Sequence, residues 1–170
     1  LDVIKLPSTI SEHKAFLKKV SSCYFDDIVI STGMTSSDYE NFILKTFAKN
    51  RRIFLLQCNS SYPTPPEDCN ISVINHYKSL SNIHSNIIPG YSSHDIGSLA
   101  SCLSVAAGAR MIEKHVKLGS HDWAHFDSVA LDLAKHEFSD YVRDLRNTEV
   151  LLGSPDKKIN DSEHHKYWKK

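Results

Sequence analysis

Five short apolar runs punctuate the chain, at residues 3–6, 28–31, 53–57, 87–91 and 111–116. Each is too short for a helix and largely lacks alternation, as expected of strands buried on both faces of a parallel sheet. The segments between them have helical period and start signals. Ser11 and Glu12 open a stretch carrying Phe16, Leu17 and Val20, and Ser36, Ser37 and Asp38 precede Phe42, Ile43, Leu44 and Phe47. Pro65 and Pro66, followed by Glu67 and Asp68, have the composition of a first helical turn, where a missing N–H costs nothing and acids suit the dipole. Asp95 is placed to cap the small-residue segment 98–107. A last helix is predicted over 133–152 from Phe138, Tyr141, Val142, Leu145 and Val150, stopping at Gly153 before Ser154-Pro155.

Counting from Lys5 to Ser31, Gln57, Ser92 and Glu113 gives intervals of 26, 26, 35 and 21 residues, each close to one βα unit. A complete eight-unit barrel takes about 250 residues, so five units take roughly 155. These intervals and the length fit an α/β fold, a TIM (β/α)8-type barrel that is incomplete here, with about five parallel βα units in residues 1–153 and a polar tail over 154–170. An open flavodoxin-like sheet of five parallel strands fits the same periodicity.

Composition narrows the partners. Twenty basic residues balance twenty acidic ones among 170, leaving no field to recruit nucleic acid or an anionic membrane surface. No apolar run approaches the roughly 18 residues of a membrane span, so the expectation is a soluble, cytoplasmic protein. The four cysteines, Cys23, Cys58, Cys69 and Cys102, have no CxxC spacing and read as reduced structural thiols. The chain opens on Leu1 within a strand-like run, which leads to the expectation of missing upstream sequence.

Ligands in parallel βα folds collect at the carboxyl ends of strands. Polar residues gather there: Lys5 and Ser8, Ser31 and Thr32, residues 57–61, residues 92–94, and Glu113 with His115. Glu113 and His115 are two apart on a strand and share a face, the interior one in a barrel. His94, at the exit of the preceding strand, is positioned to meet His115 across the barrel mouth, and two imidazoles with open positions suit a metal that also binds substrate. Lys5 on an apolar strand needs an anion or a shifted pKa. Three readings stay open for it: an internal salt bridge, a fixed charge for phosphate or carboxylate beside Ser8, Ser31 and Ser92, or a Schiff-base nucleophile. His164 and His165 are adjacent and point apart in regular structure, a poor arrangement for a metal.

At ISTGM (30–34), SSYPTPPED (60–68), GYSSHDIG (90–97) and IEKHV (112–116), in that order, the chain resembles the sialic acid synthase family over about residues 1–153. The resemblance implies strands 4–8 of the barrel and a condensation of phosphoenolpyruvate with an N-acyl-mannosamine-type aldehyde, forming a nonulosonic acid and releasing phosphate. It implies a divalent metal, manganese with magnesium or cobalt as alternates, held by His94 and His115. Glu113 falls beside the second ligand and contacts the acceptor sugar, so it and Lys5 are the implied catalytic pair. Lys5, Ser8, Ser31, Ser60 and Ser92 match positions that hold phosphoenolpyruvate, and Tyr62 and Asp127 match sugar contacts. The implied partners are those two substrates and a homo-oligomer or a polypeptide completing the barrel. An inactive remnant that still binds metal or phosphate, and another phosphoenolpyruvate or Schiff-base aldolase barrel, are the alternatives. Three departures point to a different acceptor: Ser93 where the family carries aspartate, Ile10 for a glutamate, and the loop HDWAHFD (121–127) in place of a glycine-proline-aspartate loop.

Overall fold

The computed structural model describes residues 2–23 and 25–163; the pair His164 and His165 lies outside them. Five strands, β1 (Val3–Leu6), β2 (Asp27–Ser31), β3 (Arg52–Cys58), β4 (Ile87–Ser93) and β5 (Met111–Lys114), form one sheet in the order β1-β2-β3-β4-β5. All four pairings are parallel. Helices α1 (Lys14–Ser21), α2 (Ser37–Thr46), α3 (Val73–Ile83) and α4 (Leu99–Ala107) occupy the four crossovers, and α5 (Glu137–Leu152) follows the sheet. Sequential order with right-handed crossovers puts every helix on the same face. That topology is not the interleaved order of an open flavodoxin-like sheet.

The sheet is curled, and one ion pair proves it. Strands 4.8 Å apart would set β1 and β5 ~19 Å from each other in a flat sheet, beyond the combined reach of a lysine and a glutamate. Yet Lys5 Nζ on β1 lies 2.9 Å from Glu113 Oε2 on β5. The concave face is therefore a half-barrel interior, and the convex face carries the helices.

Side-chain alternation sorts residues between the two faces. Leu6, Ile28, Ile30, Ile53, Leu55 and Ile87 point outward and pack with Leu17 and Val20 of α1, Tyr39 and Ile43 of α2, and Tyr77 of α3 in one core. Each such side chain stabilises the fold by about 1.5–3 kcal/mol through apolar burial. A second core joins Ile74, Tyr91 and Ala109 under α3 and α4. At the opposite, amino-terminal rim, Arg52 clamps Asp27 through Nε at 2.8 Å and through Nη2, fixing the β2–β3 register.

Several boundaries depart from the sequence pattern. The Pro65-Pro66 segment forms only a 3-10 turn (Pro66–Asp68), and α3 begins at Val73. An acid-rich first turn is equally suited to an isolated turn, and packing of Ile74 and Tyr77 decides where the helix starts. Asp95 does not cap α4, whose N-cap is Ser98, because its carboxylate is taken by Tyr91 and Ser93. The helix predicted from 133 begins at Glu137. The run 111–116 is not one strand. Beyond Lys114 the chain changes partner: His115 O accepts from Leu131 N at 2.9 Å, and β6 (Val116–Lys117) pairs in parallel with β7 (Leu131–Asp132) in a separate two-stranded sheet. All four cysteines are free; Cys58 and Cys69 are buried, Cys102 is half-buried and Cys23 is exposed. Among the described residues, no helix is long and apolar enough to cross a membrane.

Candidate active site

The carboxyl ends of the five strands carry a continuous polar surface on the concave face. Lys5, Ser31 and Glu113 project from β1, β2 and β5, and Ser92 sits opposite Glu113 in the β4–β5 ladder. Glu113 Oε1 accepts from Lys5 Nζ at 2.9 Å, Ser92 Oγ at 2.7 Å and Ser31 Oγ at 3.5 Å, while Lys5 also donates to Ser31 Oγ at 2.5 Å. Burial is the strongest single influence on Glu113 and pushes its carboxyl up. The Lys5 charge and hydrogen bond, Ser92 and His115 together outweigh it and hold the group below its usual range. Lys5 is thus an ion-paired ammonium, and the internal salt bridge expected as one reading of it is present.

Beside this network lies a cradle of hydroxyls. Ser8 is buried in the 3-10 turn Ser8–Ile10, and its Oγ accepts from Gly33 N at 2.9 Å. Ser60 Oγ is buried without a hydrogen-bond partner, one of two such side-chain atoms among the described residues, with Tyr39 Oη. A Cβ on Gly33 would fall 2.3 Å from Ser60 Oγ and 2.7 Å from Ser8 Oγ, so only glycine leaves this space free. A buried hydroxyl left unpaired costs about 1–3 kcal/mol, a penalty that a bound ligand or an ordered water removes.

Cys58 connects the cradle to the imidazoles: its Sγ lies 3.8 Å from Ser8 Oγ and 3.7 Å from His94 Nδ1. Burial raises its thiol pKa above the ordinary value, which makes it a packing group rather than a nucleophile. His94 and His115 each lie one residue beyond the last β4–β5 ladder pair, Ser93 with Lys114, and their ring centroids are 5.3 Å apart. They meet as neighbours, not across the barrel mouth. His94 Nδ1 is 2.6 Å from Asn59 O, which can only accept, so Nδ1 carries the proton and Nε2 presents a lone pair. Tyr62 Oη reaches that lone pair at 3.1 Å, and its ring stacks on His94 at 4.1 Å. Burial, ahead of every other influence, lowers both imidazole pKa values, and the mutual repulsion of the two rings lowers His115 further. Both shifts favour the neutral imidazole, the form that ligates metals.

The geometry therefore unites most of the predicted site. Lys5, Ser31, Ser92 and Glu113 share one hydrogen-bonded network, Ser8 and Ser60 flank Gly33, and His94, His115 and Tyr62 pack together. Asp127 is engaged elsewhere: Oδ2 accepts from Lys117 Nζ at 2.8 Å and Oδ1 from His121 N at 2.7 Å, closing the 121–127 loop. That closure brings in two residues the sequence pattern did not single out. His125 meets the Tyr62 ring edge-on at 4.9 Å, and Phe126 stacks on His115 at 4.9 Å. A loop has no periodicity to flag them; the unusual composition of HDWAHFD is the one signal they leave. Ser93 is directed away from the pocket, where its Oγ donates to Asp95 Oδ1 at 2.7 Å, so a carboxylate is retained two residues further along.

His94 satisfies the chemistry of a metal ligand: one nitrogen is fixed on a backbone carbonyl and the other aimed into the site. Among the described residues, no cluster of three or more His, Cys, Asp or Glu side chains could hold an ion unaided. The available donors are the two imidazoles.

Known proteins share this arrangement of elements. The chain is 38% identical over 133 residues to N-acetylneuraminate-9-phosphate synthase of Homo sapiens, covering 78% of this chain and 36% of that protein. It is 35% identical over 127 residues to pseudaminic acid synthase of Campylobacter jejuni, covering 74% and 35% respectively. The crystal structure of N-acetylneuraminic acid (sialic acid) synthetase from Leptospira borgpetersenii superposes with a TM-score of 0.80 at 24% identity, over 95% of this chain and 55% of that one. The chain thus spans little more than a third of the length of these curated relatives. Residues 1–157 match the NeuB family, and with the curled five-stranded sheet and the ordered motifs that match places this chain in the NeuB, or sialic acid synthase, family.

Proposed function

We propose that the chain forms the phosphate- and metal-binding side of a synthase that condenses phosphoenolpyruvate with an N-acyl-mannosamine-type aldehyde. The methylene carbon of the enol phosphate bonds to the aldehyde carbon, whose oxygen takes up a proton; water adds at the carbon bearing the phosphate ester, and cleavage of that C–O bond releases inorganic phosphate and leaves a ketone. The carrying observation is the unpartnered Ser60 hydroxyl in the cradle that Ser8 and Gly33 build, one cysteine away from the imidazole pair. A small anionic group supplies the acceptor that Ser60 lacks, and the Lys5 ammonium adds a fixed positive charge nearby.

His94 and His115 would hold a divalent cation, manganese by resemblance, whose Lewis acidity polarises a carbonyl oxygen. Glu113, ionised and hydrogen-bonded to Lys5 and Ser92, is available to accept from an acceptor hydroxyl. Tyr62, His125 and Phe126 form the aromatic wall beside it. The ion-paired state of Lys5 disfavours the Schiff-base reading, which needs a free amine.

The test is phosphate release from phosphoenolpyruvate and N-acetylmannosamine in the presence of Mn2+. Ser60→Ala and His115→Ala are each expected to cut the rate by about 10–100-fold. Mn2+ binding without phosphate release would replace the synthase reading with a binding remnant, and borohydride trapping of pyruvate on Lys5 would replace it with an aldolase.

A further inference from the structure

The β4–β5 ladder ends at Ser93 and Lys114, one residue short of His94 and His115. Nothing in the ladder itself therefore fixes the separation of the two rings. On the convex side of the sheet, directly behind them, lies a buried polar relay. Lys114 Nζ donates to Ser93 Oγ at 2.9 Å and to the backbone oxygen of Asp95 at 2.5 Å. Ser93 Oγ in turn donates to Asp95 Oδ1 at 2.7 Å, and Tyr91 Oη donates to the same oxygen at 2.9 Å. Ser93 is fully buried and Asp95 nearly so. The Lys114 ammonium sits 5.8 Å from the centre of the Tyr141 ring on α5.

We infer that Lys114, Ser93 and Asp95 are positioning residues that lock the His94–His115 pair. Alternation is the reason. Lys114 stands between Glu113 and His115, and Ser93 and Asp95 stand on either side of His94, so inward residues alternate with outward ones on both strands. The bond from Lys114 to the Asp95 carbonyl crosses from β5 to the segment after β4, continuing the strand pairing past its last ladder bond. On its other side the His94 carbonyl accepts from Thr64 N at 2.9 Å, which ties the same segment to the Tyr62 loop. A lysine brought into such a place is stable only where its donors are met, and here Ser93 Oγ and the Asp95 carbonyl meet them, with the Asp95 carboxylate one hydroxyl away. Packing alone would be served as well by an apolar side chain.

This inference rests on the reading of His94 and His115 as site residues but not on the reaction or on a bound metal. The experiment is long-range 1H–15N imidazole spectroscopy of the metal-free protein, comparing Ser93→Ala, Lys114→Met and Arg52→Ala. Wild type should show His94 as a single Nδ1–H tautomer with cross-ring contacts to His115. Ser93→Ala and Lys114→Met should give a mixed tautomer and lose those contacts. Arg52→Ala removes the clamp on Asp27 at the amino-terminal rim, so it should lower stability while leaving the imidazole pattern intact. In a second arm, Mn2+ affinity should fall about 10–100-fold in the first two variants only. An unchanged His94 signature in folded Ser93→Ala, or an equal change in Arg52→Ala, overturns the inference. If Mn2+ fails to bind wild type while the metal-free signature responds as described, the positioning role stands and the metal reading fails.

Discussion

Replacing Lys5 by methionine isolates the electrostatics of the pocket. The substitution retains most of the apolar stem and removes the ammonium, leaving Glu113 with Ser92 at 2.7 Å and Ser31 at 3.5 Å. Leaving a buried charged group without its partner costs about 1–3 kcal/mol. Here the Lys5 and Glu113 side chains are 33% and 40% exposed, so solvent screening reduces that figure to ~1 kcal/mol. For a chain of this size, ~1 kcal/mol lowers the melting temperature by about 2–4 °C at neutral pH. The pH dependence has a definite sign. Glu113 has a depressed carboxyl pKa when folded, so its contribution to stability is present above the ordinary value of 4.5 and is lost as pH falls through the folded value. With Lys5 gone, burial, already the strongest single influence, is no longer outweighed and should carry the carboxyl above 4.5, reversing that dependence. The assay is urea unfolding between pH 3 and 7, with the Glu113 carboxyl followed by 13C NMR. A carboxyl that stays below 4.5 in Lys5→Met would show that the ion pair is not what depresses it.

Gly33→Ala should displace the Ser8 and Ser60 hydroxyls and abolish protection of the fold by phosphoenolpyruvate in a thermal-shift assay; undiminished protection would place the anion elsewhere. Leu55→Ala, at a fully buried site in the main core, should cost about 2–5 kcal/mol by denaturant unfolding, and a loss under 1 would mean the two layers can close over the cavity. Asp127→Ala should accelerate exchange of the His121 amide, which donates to that carboxylate, whereas unchanged exchange would free the loop from dependence on it. The strands β1 and β5 are the sheet's edges, and Val3 and Val116 are half-exposed near them, so self-association or a completing partner is expected in light scattering; a sharp monomer peak would contradict it.

The periodicity of apolar runs was enough to define five parallel βα units, because strands buried on both faces must be apolar along their whole length. Polar residues at the strand ends, Lys5, Ser31, Ser92 and Glu113, were legible for the same reason: each interrupts a run with no local need to do so. Local pattern could not say that the sheet curls, a property of strand twist and crossover packing summed over all five strands. It is the curl that brings Lys5 on β1 to Glu113 on β5 across 108 positions of sequence. Nor could it show where residues 111–116 change partner, since an apolar run looks alike whether it pairs with β4 or with β7. The His125 and Phe126 contacts depend on a loop closed by Asp127 and Lys117, and the relay behind His94 on alternation between two neighbouring strands. Sequence determines which groups are available and which face each strand residue takes; only the closed three-dimensional path decides which of them touch, because contact energies act through space and not along the chain.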